Sequence, residues 1–191
     1  MKHKKKFITD FFLLNMDRSF FQHAGDWTVV DLDKVHNNKV KARYGKKLKD
    51  LLFYKEKIKR PLFTQIGVSG HGYYLPVTLI NPKTMQSITT LATADSGASC
   101  SVFGHELAEA IGIDWKKGKK SKAFAGEKFA ALYAYRVKML ISVSKNKEMY
   151  EEEVDIIHEK HSASLLGLSG FFNHYEVVFN PKFGIKYKFI N

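Results

Sequence analysis

An extended apolar stretch that ends in an aspartate and a Ser/Gly turn constrains this chain most. Residues 88–94 read Ile-Thr-Thr-Leu-Ala-Thr-Ala, and residues 95–99 read Asp-Ser-Gly-Ala-Ser. Apolar and β-branched residues favour a strand, whereas Ser and Gly favour a turn. The pattern therefore predicts that a strand presents the carboxylate of Asp95 on rigid backbone. The chain contains one such run, so a site that needs two of these carboxylates also needs a second copy of the chain.

The basic charge of the chain is concentrated near its N-terminus. The 191 residues carry a net charge of +12, and residues 1–60 account for +9 of it, with 16 Lys/Arg against 7 Asp/Glu. Such an excess favours an acidic partner, either nucleic acid, an anionic membrane or an acidic protein segment. Apolar residues make up 45% of the chain, which is enough for a domain with a hydrophobic core.

Cysteine content and hydropathy indicate the compartment. Cys100 is the only cysteine, so the chain can form no internal disulfide and no cysteine-based metal site. No apolar run approaches the roughly 18 residues of a membrane-spanning helix. We therefore expect a soluble, intracellular protein of the cytoplasm without a membrane span.

The predicted secondary structure changes near residue 61, from a basic region with a helical pattern to a region with a strand pattern. Residues 1–61 are predicted to be a basic extension of unknown role, with an amphipathic helix over 38–59. This extension is interpreted as an arm that binds nucleic acid or an acidic protein, as a regulatory pro-segment, or as an ordinary packed segment with solvated lysines. From Leu62 the pattern is β. Predicted elements there are strands 73–80 and 85–94, a helix over 105–111, a hairpin over 123–130, strands 132–143 and 152–157, and a hairpin over 175–190.

Three segments, in this order, carry a resemblance to a known family. Residues 91–98 read Leu-Ala-Thr-Ala-Asp-Ser-Gly-Ala, residues 165–167 read Leu-Leu-Gly, and residues 170–180 form an aromatic-rich closing segment. Together they resemble the retropepsin-like single-domain aspartic proteases. The resemblance covers residues 62–191. It implies a mainly β acid protease fold, a closed barrel-like lobe with one short helix and a flap hairpin, here with a partly helical N-terminal extension.

The resemblance also implies an active site without cofactor or metal. Asp95, Ser96 and Gly97 would be its catalytic residues, and the Asp95 carboxylates of a homodimer would activate a water that hydrolyses a peptide bond. The hydroxyl of Ser96 would form a hydrogen bond across the dimer axis. Gly167 would let its strand pass close behind the Asp95 turn. The positions that the resemblance marks as structural are Ala98, Leu166 and Gly167.

The flap is the second implied part of the site. The hairpin over 123–130 would close over an extended, apolar-rich segment of a protein or peptide substrate. Phe124, Ala125 and Gly126 are the residues expected to contact it, with Gly126 near the hairpin tip.

Two other interpretations of Asp95 remain open at the level of sequence. An aspartate in a turn commonly accepts hydrogen bonds from its own loop and does nothing else. Alternatively, the fold is retained without catalysis, as a dimeric module whose basic arm binds nucleic acid or an acidic partner. The sequence also departs from the retroviral pattern, because Leu168-Ser169 follow Gly167 where Arg-Asp is usual.

A zinc-protease motif is approached but not completed. Residues 105–109 read His-Glu-Leu-Ala-Glu, whereas the motif needs a second histidine at the fifth position. The fifth position is Glu109 instead, so we expect an ordinary solvated helix here rather than a zinc site.

Overall fold

The computed structural model describes residues 27–31, 43–59, 61–65, 73–125, 130–143, 148–158, 164–180 and 184–190. Within these ranges the strands fall into a three-stranded, a seven-stranded and a two-stranded sheet. The three-stranded sheet contains β1 (Trp27–Asp31), β2 (Arg43–Gly45) and β3 (Pro61–Gln65). The seven-stranded sheet contains β4 (Tyr74–Ile80), β5 (Ser87–Ala94), β6 (Val102–Gly104), β7 (Lys119–Ala125), β8 (Ala130–Val143), β9 (Tyr150–Ile157) and β10 (Leu165–Leu166). The two-stranded sheet is a hairpin of β11 (Tyr175–Asn180) and β12 (Gly184–Phe189).

Six strands of the large sheet close into a barrel. Their order is β4-β5-β10-β6-β9-β8, and β8 pairs back onto β4 in the register Val77↔Val143. Alternate residues of β4 point inward, so that Leu75, Val77 and Leu79 are buried. Among the described strands, β7 pairs with β8 alone and lies outside the ring. The prediction of a mainly β fold with a closed barrel-like lobe is confirmed.

A short helix packs against the barrel. The helix α2 (His105–Ala110) contributes Leu107 and Ala108 to the core, and Ile111 follows it into the same cluster. Gly112 then has a φ of 72°, a conformation that glycine adopts without strain. The predicted helix over 105–111 is confirmed to within one residue. None of the described helices combines the length and the apolar character that a bilayer-spanning segment requires.

The described part of the N-terminal region shares the core of the barrel. Trp27, Val29 and Phe63 from the three-stranded sheet are buried in the same hydrophobic cluster as the barrel interior. The indole N–H of Trp27 donates a hydrogen bond to Glu106 of α2. The hydrophobic core is therefore continuous across the domain boundary that the sequence predicts at residues 61 and 62.

The predicted amphipathic helix over 38–59 is wrong for the described residues 43–59. They form β2, a 3-10 turn over Leu48–Leu51 and the single-turn helix α1 (Tyr54–Lys57). Leu48 and Leu51 are both buried in the core, so their three-residue spacing is satisfied by one tight turn. Gly45 lies close against Leu51, and tertiary packing has overridden the helical pattern.

Truncation of a buried aromatic residue in β3 tests whether this region is part of the fold. Phe63 is 0% exposed, whereas Phe53, in the same region, is 50% exposed. We expect Phe63→Ala to lower the free energy of unfolding by about 3–5 kcal/mol, because it leaves a cavity in the shared core. Phe53→Ala should lower it by about 1 kcal/mol or less. Equal effects in urea denaturation would show that β3 does not belong to the cooperative unit.

Candidate active site

The Asp95 turn begins where β5 ends. The backbone N–H of Asp95 donates to the carbonyl of Leu166 at 3.0 Å, and its carbonyl accepts from Ala98 at 3.2 Å. The N–H of Gly97 donates to Asp95 Oδ1 at 2.9 Å. A Cβ on Gly97 would lie 3.2 Å from that oxygen, so the bare Cα allows this close approach. The carboxylate of Asp95 is thus oriented by its own turn and remains partly exposed to solvent.

A second segment supports the turn from behind. β10 runs parallel to β5 in the register Leu166↔Ala94. Beyond β10, the N–H of Leu168 donates to the carbonyl of Ala98 at 2.8 Å, and the N–H of Ser169 donates to the carbonyl of Ser99 at 3.0 Å. These bonds tie both ends of the Asp95 turn to one neighbouring segment.

Gly167 lies where the two segments come closest. A Cβ at this position would lie 2.3 Å from the carbonyl oxygen of Cys100 and 2.8 Å from that of Ala98. Backbone atoms cannot move aside as a flexible side chain can, so only glycine fits. The structure therefore brings Asp95, Gly97, Ala98, Leu166 and Gly167 together, while Ser96 lies exposed in the same turn.

Ser101 connects the same two segments and was not identified from the sequence. Its side chain is fully buried. Its hydroxyl accepts from the N–H of Gly167 at 3.1 Å and donates to the carbonyl of Ser169 at 3.1 Å. Its backbone N–H donates to the same Ser169 carbonyl at 2.9 Å. The sequence alone does not reveal this role of Ser101, because its hydrogen-bond partners lie more than 60 residues away along the chain.

A charged pair lies next to the strand that leaves the Asp95 turn. Asp155 of β9 is 2% exposed and forms a two-pronged ion pair with Arg136 of β8, at 2.9 and 3.2 Å. The thiol of Cys100 donates to Asp155 Oδ2 at 3.3 Å. Burial is the main effect that raises the pKa of Cys100, and the negative charge of Asp155 raises it further. The thiol is therefore held in its protonated form, which is a poor nucleophile.

A third polar cluster anchors the segment behind the turn. Glu152 accepts from the hydroxyl of Ser169 at 3.1 Å and from the ring nitrogen of His174 at 2.9 Å. Burial alone would raise the pKa of Glu152, but the hydrogen bonds from His174, Ser169 and Asn173 outweigh it and lower that pKa. The charged form of Glu152 is thus favoured in the folded state.

The two strands of the hairpin predicted over 123–130 are paired in the structure. β7 and β8 pair from Lys119↔Arg136 to Ala125↔Ala130. Phe124 and Ala125 are the last residues of β7. The predicted tip residue Gly126 lies outside the described residues.

The zinc-protease alternative finds no support at the helix. Glu109, which stands where the motif needs its second histidine, accepts a hydrogen bond from the indole N–H of Trp115 at 2.9 Å. In the described ranges, no three His, Cys, Asp or Glu side chains are grouped closely enough to hold a metal ion.

Removal of the Ser101 hydroxyl tests the connection behind the turn. Ser101→Ala leaves the buried N–H of Gly167 without its acceptor, which should lower the free energy of unfolding by about 1–3 kcal/mol. The control is Ser87→Ala, because Ser87 is exposed at the start of β5. Similar losses for the two variants in chemical denaturation would contradict the assigned role of Ser101.

The lowered pKa of Glu152 predicts a pH-dependent contribution to stability. A carboxylate whose pKa falls on folding stabilises the protein above its ordinary value, here 4.5, and loses this effect as the pH falls through the folded value. Glu152→Gln should therefore reduce stability most near neutral pH, and the difference from the parent should vanish in acid. Its neighbour Glu151, which is half exposed, provides the control Glu151→Gln. If the free energy of unfolding differed between parent and Glu152→Gln by the same amount at every pH, the lowered pKa of Glu152 would be refuted.

Comparison with known proteins found similar solved structures but no similar sequences. No protein-family model matches the chain, and no curated protein sequence matches it. A retropepsin-like aspartic protease from Rickettsia conorii is 14% identical with a TM-score of 0.45, over 61% of this chain and 80% of that one. EIAV protease in complex with the inhibitor HBY-793 is 11% identical with a TM-score of 0.34, over 52% of this chain and 85% of that one.

Proposed function

We propose that this protein is an aspartic-type endopeptidase that acts as a homodimer. Asp95 and Asp95 of the partner subunit would form the catalytic pair, with Ser96 and Gly97 completing each turn. The proposal is carried by one observation, the support of the Asp95 turn by the backbone of residues 166–169. A carboxylate that remains partly exposed on a turn supported in this way is oriented before substrate arrives.

The chemistry follows from bringing two carboxylates together. Two such groups in contact cannot both ionise easily, so the pair shares one proton. The ionised member accepts a proton from a water molecule, whose oxygen attacks the peptide carbonyl carbon, while the protonated member donates its proton to the carbonyl oxygen. Collapse of the tetrahedral intermediate then breaks the C–N bond, and the amine leaves with a proton returned by the pair. No metal and no covalent intermediate is needed.

The substrate would be an extended segment of a protein or peptide. The β7–β8 hairpin offers backbone groups to an extended chain, and closure of a flap over the site excludes water. Phe124, Ala125 and Gly126 are the proposed contact residues of the flap. Ala98, Leu166 and Gly167 would act through the position of the Asp95 turn, without touching substrate.

Replacement of the carboxylate separates an active protease from a protein that only retains the fold. Asp95→Asn is nearly isosteric, so folding and dimerisation should persist while cleavage of a denatured, fluorescently labelled protein at mildly acidic pH falls at least about a hundredfold. Asp114→Asn is the matched control, because Asp114 is exposed and its salt-bridge partner among the described residues is the exposed Lys117. Equal cleavage by parent and Asp95→Asn would disprove the mechanism. A parent that dimerises without cleaving would favour the inactive module.

The same samples test whether the site is shared between two subunits. Sedimentation over a range of concentrations should show a dimer, and cleavage should increase with the dimer fraction. A parent protein that cleaves while it stays monomeric would show that one Asp95 suffices, and the proposed pair would be wrong.

A further inference from the structure

A cavity of about 280 Å³ lies beside the β7–β8 hairpin, apart from the residues that support Asp95. Aromatic and basic side chains line it, namely Trp115, Lys116, Lys120, Tyr133, Tyr135 and His158. We call these six residues the aromatic–lysine pocket. None of them belongs to the Asp95 turn or to the segment behind it.

Strand register places lysines and tyrosines on one face of the hairpin. Lys120 pairs with Tyr135, and Lys122 pairs with Tyr133. Residues directly opposite in an antiparallel pair, and residues two apart along a strand, lie on the same face. The face is open, because Tyr133 is 57% exposed and both lysines are exposed.

The floor of the pocket is preformed. Trp115 is only 4% exposed. Its ring is stacked with that of His158 at 5.5 Å and 24°, and meets Tyr135 edge-on at 5.1 Å and 75°. Since Glu109 already accepts from the Trp115 indole, the floor of the pocket holds no unsatisfied indole donor.

Positive charge surrounds these rings. Lys120 Nζ lies 4.1 Å from the centroid of the Tyr133 ring, and Lys116 Nζ lies 5.4 Å from that of Trp115. The nearest acidic residue in sequence, Asp114, is engaged by Lys117 at 3.0 Å. No salt bridge to Lys116 or Lys120 is found among the carboxylates of the described residues. Both ammonium groups are therefore available to an anion.

We propose that the aromatic–lysine pocket binds single-stranded nucleic acid. A base would take the place of the Lys120 ammonium over the exposed ring of Tyr133. Lys120 would then contact a flanking phosphate, and Lys116 would contact another. Aromatic platforms beside cations are the common solution for binding single strands, whereas a duplex hides its base faces. An acidic peptide supplies charge but not a ring at each unit. The net charge of +12 adds long-range attraction to a polyanion.

Binding of a fluorescent single-stranded oligodeoxynucleotide of about 12 nucleotides to the full chain tests the proposal. Tyr133→Ala changes no charge, yet it should weaken binding at least about fivefold through loss of stacking. Tyr133→Phe keeps the ring and should bind like the parent. Lys120→Gln should weaken binding and reduce the slope of log affinity against log salt by about 1.

Lys138→Gln is the control for the lysine, because Lys138 lies on the same strand but on its opposite face, beside Glu151. Parent affinity in both Tyr133→Ala and Lys120→Gln would assign binding to other basic residues and overturn the proposal. Equal loss in Lys138→Gln and Lys120→Gln would show a response to net charge alone, with the same consequence. Displacement of the oligonucleotide by poly-glutamate as effectively as by unlabelled oligonucleotide would also overturn it.

Discussion

The approach of two backbone segments behind Asp95 is the contact on which the candidate site depends. At Gly167 the segments are so close that a single methyl group would overlap a carbonyl oxygen. The backbone bonds of Leu168 and Ser169, together with the buried hydroxyl of Ser101, hold them at this distance. Because these groups are buried from water or paired across the contact, opening it would leave polar groups unsatisfied. The position of the Asp95 turn is therefore fixed by contacts with the core, while the turn itself orients the carboxylate.

Much of the barrel could be predicted because its signals are local. The strand pattern of β4 and β5 and Gly112 after α2 both act over a few residues. The helix predicted over 38–59 failed for the opposite reason. The predicted apolar spacing is present in the sequence, but Leu48 and Leu51 pack from a short turn against a core formed by strands distant in sequence.

The candidate site could be predicted only in part. Asp95, Gly97 and Gly167 were expected at the site because the Asp-Ser-Gly and Leu-Leu-Gly segments carry the family resemblance. Ser101 could not be found, since serine is common and its role depends on partners in another part of the chain. The same holds for the pair Arg136–Asp155, which meets only once β8 and β9 are aligned in register. Charges that neutralise each other across a sheet look, in sequence, like ordinary solvated residues.

The length of β8 has a mechanical consequence for the hairpin that it shares with β7. This one strand closes the barrel at its far end, through Leu140 to Val143, and carries the hairpin at its near end. Among the described residues, β9 accompanies it from Ala134 onward. Residues 130–133, a span of about 13 Å, pair there with β7. The hairpin is therefore an extension of a barrel strand, and its position is set by the same backbone ladder that closes the ring.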